Sequence, residues 1–450
     1  MQNPQHQVLL TRIAELEKIV SKQSERISRL EQDNLALHRE NAELKAHLRV
    51  YENPHTPSSK QRFKQKPREP SGKLGAHKGH PKWEREQPEP TETVEHSETE
   101  CPYCRHRLGK PVKTDHRIIE ELPEPQPILV IEHLINHYYC NYCHRNIIAK
   151  NNVPQGMFGI NAQATTVLLR FEDRLPLRKA VNALIRQDLN MTNVCVQNIS
   201  QRVAYSLSHE YNEQIQLIRT SRVVYADETE MPIDGETWWL WTFTTEQQTI
   251  YVIRKRRNSD VPIEILGKQY AGIVTSDGHT VYRKIGSEQQ RCWAHIIRES
   301  KELNDEYKLY ACHHNNLTKI FAKLKRIRAS PPPLEKRIEL KAQLEKETTL
   351  IADALDGHKE YHTFAVKLRN AIPHLFTCLI HLFVEPTNNI AERALRELIV
   401  IRKIIGGLRR ENGARTMETI VSMLATWKQQ GKNPYTTLKQ RLSTPFINAR

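Results

Sequence analysis

The stretch VVYADETEMPI, residues 223–233, decides how the chain is read: a β-branched and aromatic run gives way abruptly to Asp227, Glu228 and Glu230. Carboxylates at the end of an apolar strand either cap a turn or hold a cation. A second such end is TSDGHTVY, where Asp277 follows GIVT as Asp227 follows RVVY, and two strands side by side would bring these acids together. A third acid, Glu392, stands in NNIAERALR on a helix beginning near Asn388 or Asn389, either of which can supply the N-cap. Three carboxylates from two strand ends and a helix suit a hard ion, Mg2+ or Mn2+. Two such ions can activate an attacking oxygen and stabilise a leaving oxygen at one phosphorus. Each acid alone also has an ordinary reading. Asp277-Gly278 is a common turn pair, and Glu392, flanked by Arg393 and Arg396, reads as a helix-surface acid with an i,i+4 partner. Glu228 and Glu230 rival Asp227, although on a strand Glu228 should face the opposite way.

The composition calls for an anionic substrate. The 450 residues carry 67 Lys and Arg against 52 Asp and Glu, a net charge of +15, which argues for a polyanionic partner over a small neutral metabolite. That length implies two or more domains. No apolar run reaches the ~18 residues that span a bilayer, and the first residues are polar, so no membrane partner and a cytoplasmic location are expected.

Around the opening stretch the pattern is mixed. RVVYADETEMPI, TWWLWTFTT and QTIYVIRKRR follow one another through short turns, IDGE and TEQQ, and predict an antiparallel meander. SDVPIEILGK reads as a crossover helix that lets YAGIVTSDG run parallel to the first strand, and QQRCWAHI reads as a fifth strand. Helical sequence dominates from about 296, broken by SPPPLEK near 330. Upstream, 158–218 is helical, and LRKAVNALIRQDLNMTNVCVQNISQRVAYSL fits a helix-turn-helix capped by Thr192 or Asn193, or simply two packed helices.

The N-terminal third is different again. From Leu9 to Tyr51 apolar residues alternate by four and three, with Ile13, Val20 and Ile27 at one core position, leucines at the other, and Asn34 and Asn41 fixing register. This predicts a coiled-coil dimerisation helix over 7–52, against a single amphipathic helix packed on its own chain. Residues 53–98 read as a linker, basic and then acidic, whose Lys60, Arg62, Lys64, Lys66 and Arg68 suit phosphate contacts. Within 99–150, CPYC (Cys101, Cys104) and CNYC (Cys140, Cys143) can close a tetrahedral sulfur site for structural Zn2+, with PILVIEHLINHYYC between them read as strands. A redox pair would need only one CxxC.

YADETEM, SDGHTVY, CWAHIIRES and NNIAERALRELIVIRKIIGG, in this order behind a heptad helix, a basic linker and a CxxC…CxxC module, resemble the transposases of insertion-sequence family sixty-six. SGKLGAHKGH and EPTNN depart from the family's glycine-rich linker and its acid-containing lead into the glutamate helix. The resemblance implies a multidomain α+β and α/β chain. It would comprise a coiled coil, a zinc-ribbon-like module, a helical DNA-binding region and a ribonuclease-H-like mixed-sheet catalytic domain over 220–430. That domain would carry a helical insertion at about 300–385, and 431–450 would be a C-terminal tail. It implies a nucleoid-associated DDE-type transposase acting on transposon ends and target DNA, a homodimer with possible small accessory proteins. Asp227, Asp277 and Glu392 would be its catalytic, magnesium-binding triad. Cys292, Trp293, His295 and Arg298 would lie beside the site in support, with Asn389. Arg396, Arg402, Lys403, Arg409 and Arg410 are candidate phosphate contacts. A ribonuclease-H-like nuclease or resolvase without strand transfer, and a non-enzymatic zinc-containing DNA-binding dimer, are the rival readings.

Overall fold

The computed structural model describes residues 4–49, 89–119, 127–149, 153, 154, 156–307 and 311–443. Lys60, Arg62, Lys64, Lys66 and Arg68 lie outside them. The chain divides into two compact units, one formed by residues 1–55 with 129–450 and the other by 56–128. In the second, the first CxxC turn is closed by a bridge between Glu100 and Arg107.

The larger unit begins with α1 (Pro4–Arg49), one uninterrupted helix. Its core-position residues Leu16, Val20, Ile27, Leu30, Leu37 and Leu44 are each 50–59% exposed. Strands β1 (His137–Cys140) and β2 (Arg145–Ile148) form an antiparallel hairpin around the second CxxC turn. Of PILVIEHLINHYYC only HYYC is strand; residues 127–136 lack regular structure, a correction to the sequence reading. Three helices follow, α2 (Ile160–Phe171), α3 (Leu177–Ile185) and α4 (Asn193–Arg219). Thr192 caps α4 by accepting the Cys195 amide at 3.2 Å. Val196, Ile199, Val203, Leu207, Tyr211, Ile215 and Ile218 recur along α4 at helical spacing and bury its face in the main core.

The sheet contains β3 (Val223–Glu230), β4 (Trp239–Thr244), β5 (Thr249–Arg254), β6 (Ile273–Ser276) and β7 (Glu288–Arg291) in the order β5-β4-β3-β6-β7. The first three are an antiparallel meander, while β6 and β7 run parallel to β3. Asp234 and Gly235, both at positive φ (51° and 78°), make the tight turn into β4. The crossover helix α5 (Asp260–Leu266) allows β6 to return parallel. The fifth strand is shorter than QQRCWAHI: β7 ends at Arg291 and the next helix already starts at Trp293.

Helices α6 (Trp293–Tyr307), α7 (Ala311–Ala329), α8 (Leu334–Asp356), α9 (His362–Leu375) and α10 (Thr377–Ile380) then build a core of their own around Trp293, Phe364, Leu368 and Phe376. The chain returns to the sheet with α11 (Asn389–Ile405) and α12 (Glu411–Gln429), and ends in α13 (Pro434–Ser443). Ten residues of the expected tail, 431–450, therefore form a docked helix, held by the fully buried Leu438 in the main core, and 444–450 lie outside the described residues.

Strand β5 lies at the sheet's edge, where alternate amides need acceptors outside the sheet. Helix α12 supplies them: Thr249, Tyr251 and Ile253 donate to Thr426 Oγ1 (3.1 Å), Ser422 Oγ (2.8 Å) and Glu418 Oε1 (2.6 Å). Two residues along a strand span nearly the same length as four along a helix, so the rows stay in step. Replacing Ser422 by Ala leaves the Tyr251 amide buried without an acceptor. It is expected to destabilise the chain by about 1–3 kcal/mol in urea denaturation and to speed exchange of that amide. Unchanged exchange would refute the edge-capping role.

Candidate active site

Parallel pairing of β3 with β6 sets Val223 opposite Ile273, Val224 opposite Val274 and Tyr225 opposite Thr275. Two residues beyond the last of these pairs stand Asp227, still within β3, and Asp277, just after β6, close enough for the charge of Asp277 to act on Asp227. Asp277 lies just past β6, where its Oδ1 accepts the His279 amide at 2.8 Å. The chain turns at Gly278 (φ 91°), where a Cβ would fall 1.9 Å from the Arg291 guanidinium. Arg291 instead donates to the Gly278 carbonyl at 3.1 Å, fixing the loop that carries Asp277.

Burial, and then the charges of Glu228, Asp277 and Glu392, push the Asp227 carboxyl up to about 7, against one bond from the Glu228 amide. Glu228 itself points elsewhere. Its side chain, 2% exposed, accepts from Arg257 at 2.8 Å and from the Tyr282 hydroxyl at 2.5 Å. Burial foremost, with Glu228 beside it, holds the Tyr282 phenol well above its ordinary range. Glu228 is thus committed to a structural contact, and Glu230 is exposed at the strand's end.

Glu392 sits in the first turn of α11, which is fastened along β3 at both ends. Asn388 Nδ2 donates to the Ala226 carbonyl at 2.8 Å, and the Asn388 amide to Cys292 Sγ at 3.1 Å. At the other end Leu408 donates to the Pro232 carbonyl (2.8 Å) and accepts from the Asp234 amide (2.9 Å). Arg402 donates to the Glu230 carbonyl and Tyr251 to the Ala394 carbonyl. Asn388 occupies the N-cap position, yet its side chain makes no capping bond because it is spent on the strand. Asn389, expected beside the site, is exposed, and its carbonyl accepts from Arg393. Arg402 is likewise tied to β3 and is not a free phosphate contact, whereas Arg396, Lys403, Arg409 and Arg410 are exposed.

Helix α6 faces Glu392 with His295, whose Nδ1 is 3.7 Å from Oε1, and Arg298, 4.0 Å from Oε2. Cys292, His295 and Glu392 bring ligand atoms within 4.8 Å of one another, a group that does not include Asp227 or Asp277. Trp293 turns the other way, fully buried, its indole donating to the Leu375 carbonyl at 2.8 Å and stacked on Phe321. It supports the helical core and not the site. Sequence reasoning missed the roles of Asn388, Arg291, Arg257 and Tyr282; only the NN pair before the glutamate helix hinted at the first.

The two CxxC turns fall in separate units and share one local geometry. Arg105 and His144, each following the second cysteine, adopt positive φ (60° and 51°). Amides of Cys104 and Tyr103 bond the Cys101 sulfur and hold its thiol below the ordinary range, as those of Cys143 and Tyr142 do for Cys140.

Asp227 and Asp277 follow two parallel strands, and Glu392 stands on a helix tied to the first of them. Residues 155–416, more than half of the chain, match the Transposase IS66 family, and the chain belongs to that family. A Sinorhizobium fredii protein described as uncharacterized protein y4qI is 22% identical over 320 residues, which cover 61% of this chain and 57% of that one. The match thus spans little more than half the length of that curated relative. Among the described residues, no helix is long and apolar enough to cross a membrane.

The raised Asp227 pKa has a stability consequence. Below its unfolded value, near 3.8, the group is protonated in both states and costs nothing. Between that and about 7 the folded state binds the extra proton, so stability falls as pH rises, and above about 7 the full cost is present. Asp227→Asn removes this cost. In urea denaturation without divalent ions it should match the wild type at pH 4 and exceed it at pH 8 by up to ~4 kcal/mol. An equal difference at both pH values would contradict it.

Proposed function

We propose that this chain is a DNA transposase whose Asp227, Asp277 and Glu392 form the catalytic carboxylate cluster. What supports the proposal is that the charges of Asp277 and Glu392 both act on the Asp227 carboxyl, with the β3–β6 register ending two residues before each aspartate and Asn388 tying the glutamate helix to β3. The strand order, a three-stranded meander continued by two parallel strands, supports a ribonuclease-H-like catalytic domain. Burial, and then the neighbouring acids, raise the Asp227 carboxyl to about 7, and such an oxygen-rich set suits a divalent cation. Mg2+ or Mn2+ bound there would neutralise charge at phosphorus and make water or a hydroxyl a better nucleophile. Asp227 and Asp277 would hold the cation, Asp227 giving up its proton to do so. Glu392 would complete the shell, oriented by His295 and Arg298.

In the first reaction water attacks a phosphodiester at the element end and displaces the 3′ oxygen, leaving a 3′ hydroxyl and a 5′ phosphate. That hydroxyl then attacks a target phosphodiester and displaces a target 3′ oxygen, so each bond formed matches a bond broken and no protein-linked intermediate arises. The exposed Arg396, Lys403, Arg409 and Arg410 would contact phosphates and fix register, together with the basic linker. Cys101, Cys104, Cys140 and Cys143, in their paired knuckle geometries, would hold a structural Zn2+. The exposed apolar row of α1 would pair with a second copy.

Asp227→Asn, Asp277→Asn and Glu392→Gln should each lower joining of labelled element ends to target DNA, in Mg2+ or Mn2+, by on the order of 10²–10³-fold, the scale of losing one electrostatic stabiliser. Cleaved but never joined ends in the wild type would favour the nuclease reading. Unchanged activity in Asp277→Asn would favour a non-enzymatic DNA-binding dimer. Placing Glu at both Leu30 and Leu37 should convert a dimer to a monomer in sedimentation, and an unchanged mass would remove α1 from the interface.

A further inference from the structure

His295 Nδ1 and Glu392 Oε1 are both shut off from solvent, and neither has a hydrogen-bond partner. They face each other at 3.7 Å, too far for a hydrogen bond. That spacing is close to the ~3.4 Å separating two ligands held ~2.0–2.1 Å from one tetrahedral ion. The Cys292 sulfur completes a group of three ligand atoms within 4.8 Å of one another. Two of the amides around it stand at the same sequence offsets as those around the knuckle cysteines. Amides of Asn388, His295 and Ala294 bond the sulfur, the last two lying three and two residues on, just as Cys104 and Tyr103 lie from Cys101. Burial pushes the Cys292 thiol above its ordinary range, while the Asn388 amide and two amides from the first turn of α6, which have no partner within the helix, oppose that rise.

We propose that Cys292, His295 and Glu392 form a second cation site, for a thiophilic divalent ion and Zn2+ foremost, which draws Glu392 away from Asp227 and Asp277. Thiolate, imidazole and carboxylate together select zinc over magnesium and leave one coordination position open. On binding, the sulfur–metal bond forms as the thiol proton passes to solvent, with no change of oxidation state. The glutamate is the shared element. An ion held by Cys292 and His295 takes one acid out of the carboxylate cluster, so zinc opposes magnesium at the site. The cation site stands on its own geometry; its effect on catalysis rests on the reading proposed above.

The test uses the full-length protein loaded with a single equivalent of Zn2+, which four knuckle thiolates hold in preference to the three mixed ligands at Cys292, with Mg2+ kept in excess, and titrates it with Co2+. Wild type is expected to gain a thiolate-to-cobalt charge-transfer absorption that saturates at one equivalent, and Cys292→Ala to lose it. The exposed Cys312 serves as a control, and Cys312→Ala should retain the band. Should Cys292→Ala fail to fold, His295→Gln, which keeps the sulfur on the helix, should weaken Co2+ binding at least tenfold. No band in the wild type, a band that survives in Cys292→Ala, or unchanged affinity in His295→Gln overturns the site. The readout involves no DNA, so failure of strand transfer and failure of this site are separately visible.

Discussion

The Asn388 carboxamide, donating to the Ala226 carbonyl, joins two pieces of chain 162 residues apart and brings the first turn of the glutamate helix to the strand that carries Asp227. Further links along β3 follow its line: the Arg402 contact at the strand's end, and the exchange of backbone bonds by Leu408 with Pro232 and Asp234. The helix is therefore fixed in rotation as well as position. An asparagine suits this better than a serine or aspartate cap would. It reaches farther than serine and, unlike a carboxylate, donates to a carbonyl without adding another negative charge to an already crowded site.

The cluster it assembles is electrostatically unfavourable by design of the fold. Asp227 is buried among acids, and only one amide offsets the repulsion, while Glu228, one residue on, is paired with Arg257 and the Tyr282 hydroxyl. The contrast between adjacent acids on opposite faces separates an acid that stabilises the fold from one that the fold must restrain. Such pairs of environments are where functional groups are found.

Much of this was legible in the residues. The short turns and apolar runs from 220 to 291 gave the meander, and the polar-to-apolar SDVPIEILGK gave the crossover that makes β6 parallel, because local spacing controls both. What was not legible was non-local. Nothing in CWAHIIRES says that Trp293 turns into one core while His295 turns toward Glu392; that depends on where α6 lies between two packed layers. The docking of α12 and of the helix after it was hidden for the same reason. Glu418, Ser422 and Thr426 look like a solvated face, yet they are buried against a strand edge. The NN pair pointed to a cap, and only the neighbouring strand explains why Asn388 bonds sideways.

The capped edge of β5 also orders events in time. Its three acceptors lie 165 to 177 residues further along the chain. A chain emerging from the ribosome makes the whole meander long before α12 exists, and it carries an open strand edge throughout that interval. Only a chain that includes α12 covers it, so a copy of the gene cut short between codons 392 and 418 would encode an adhesive fragment with its three acids present and no means of finishing the sheet.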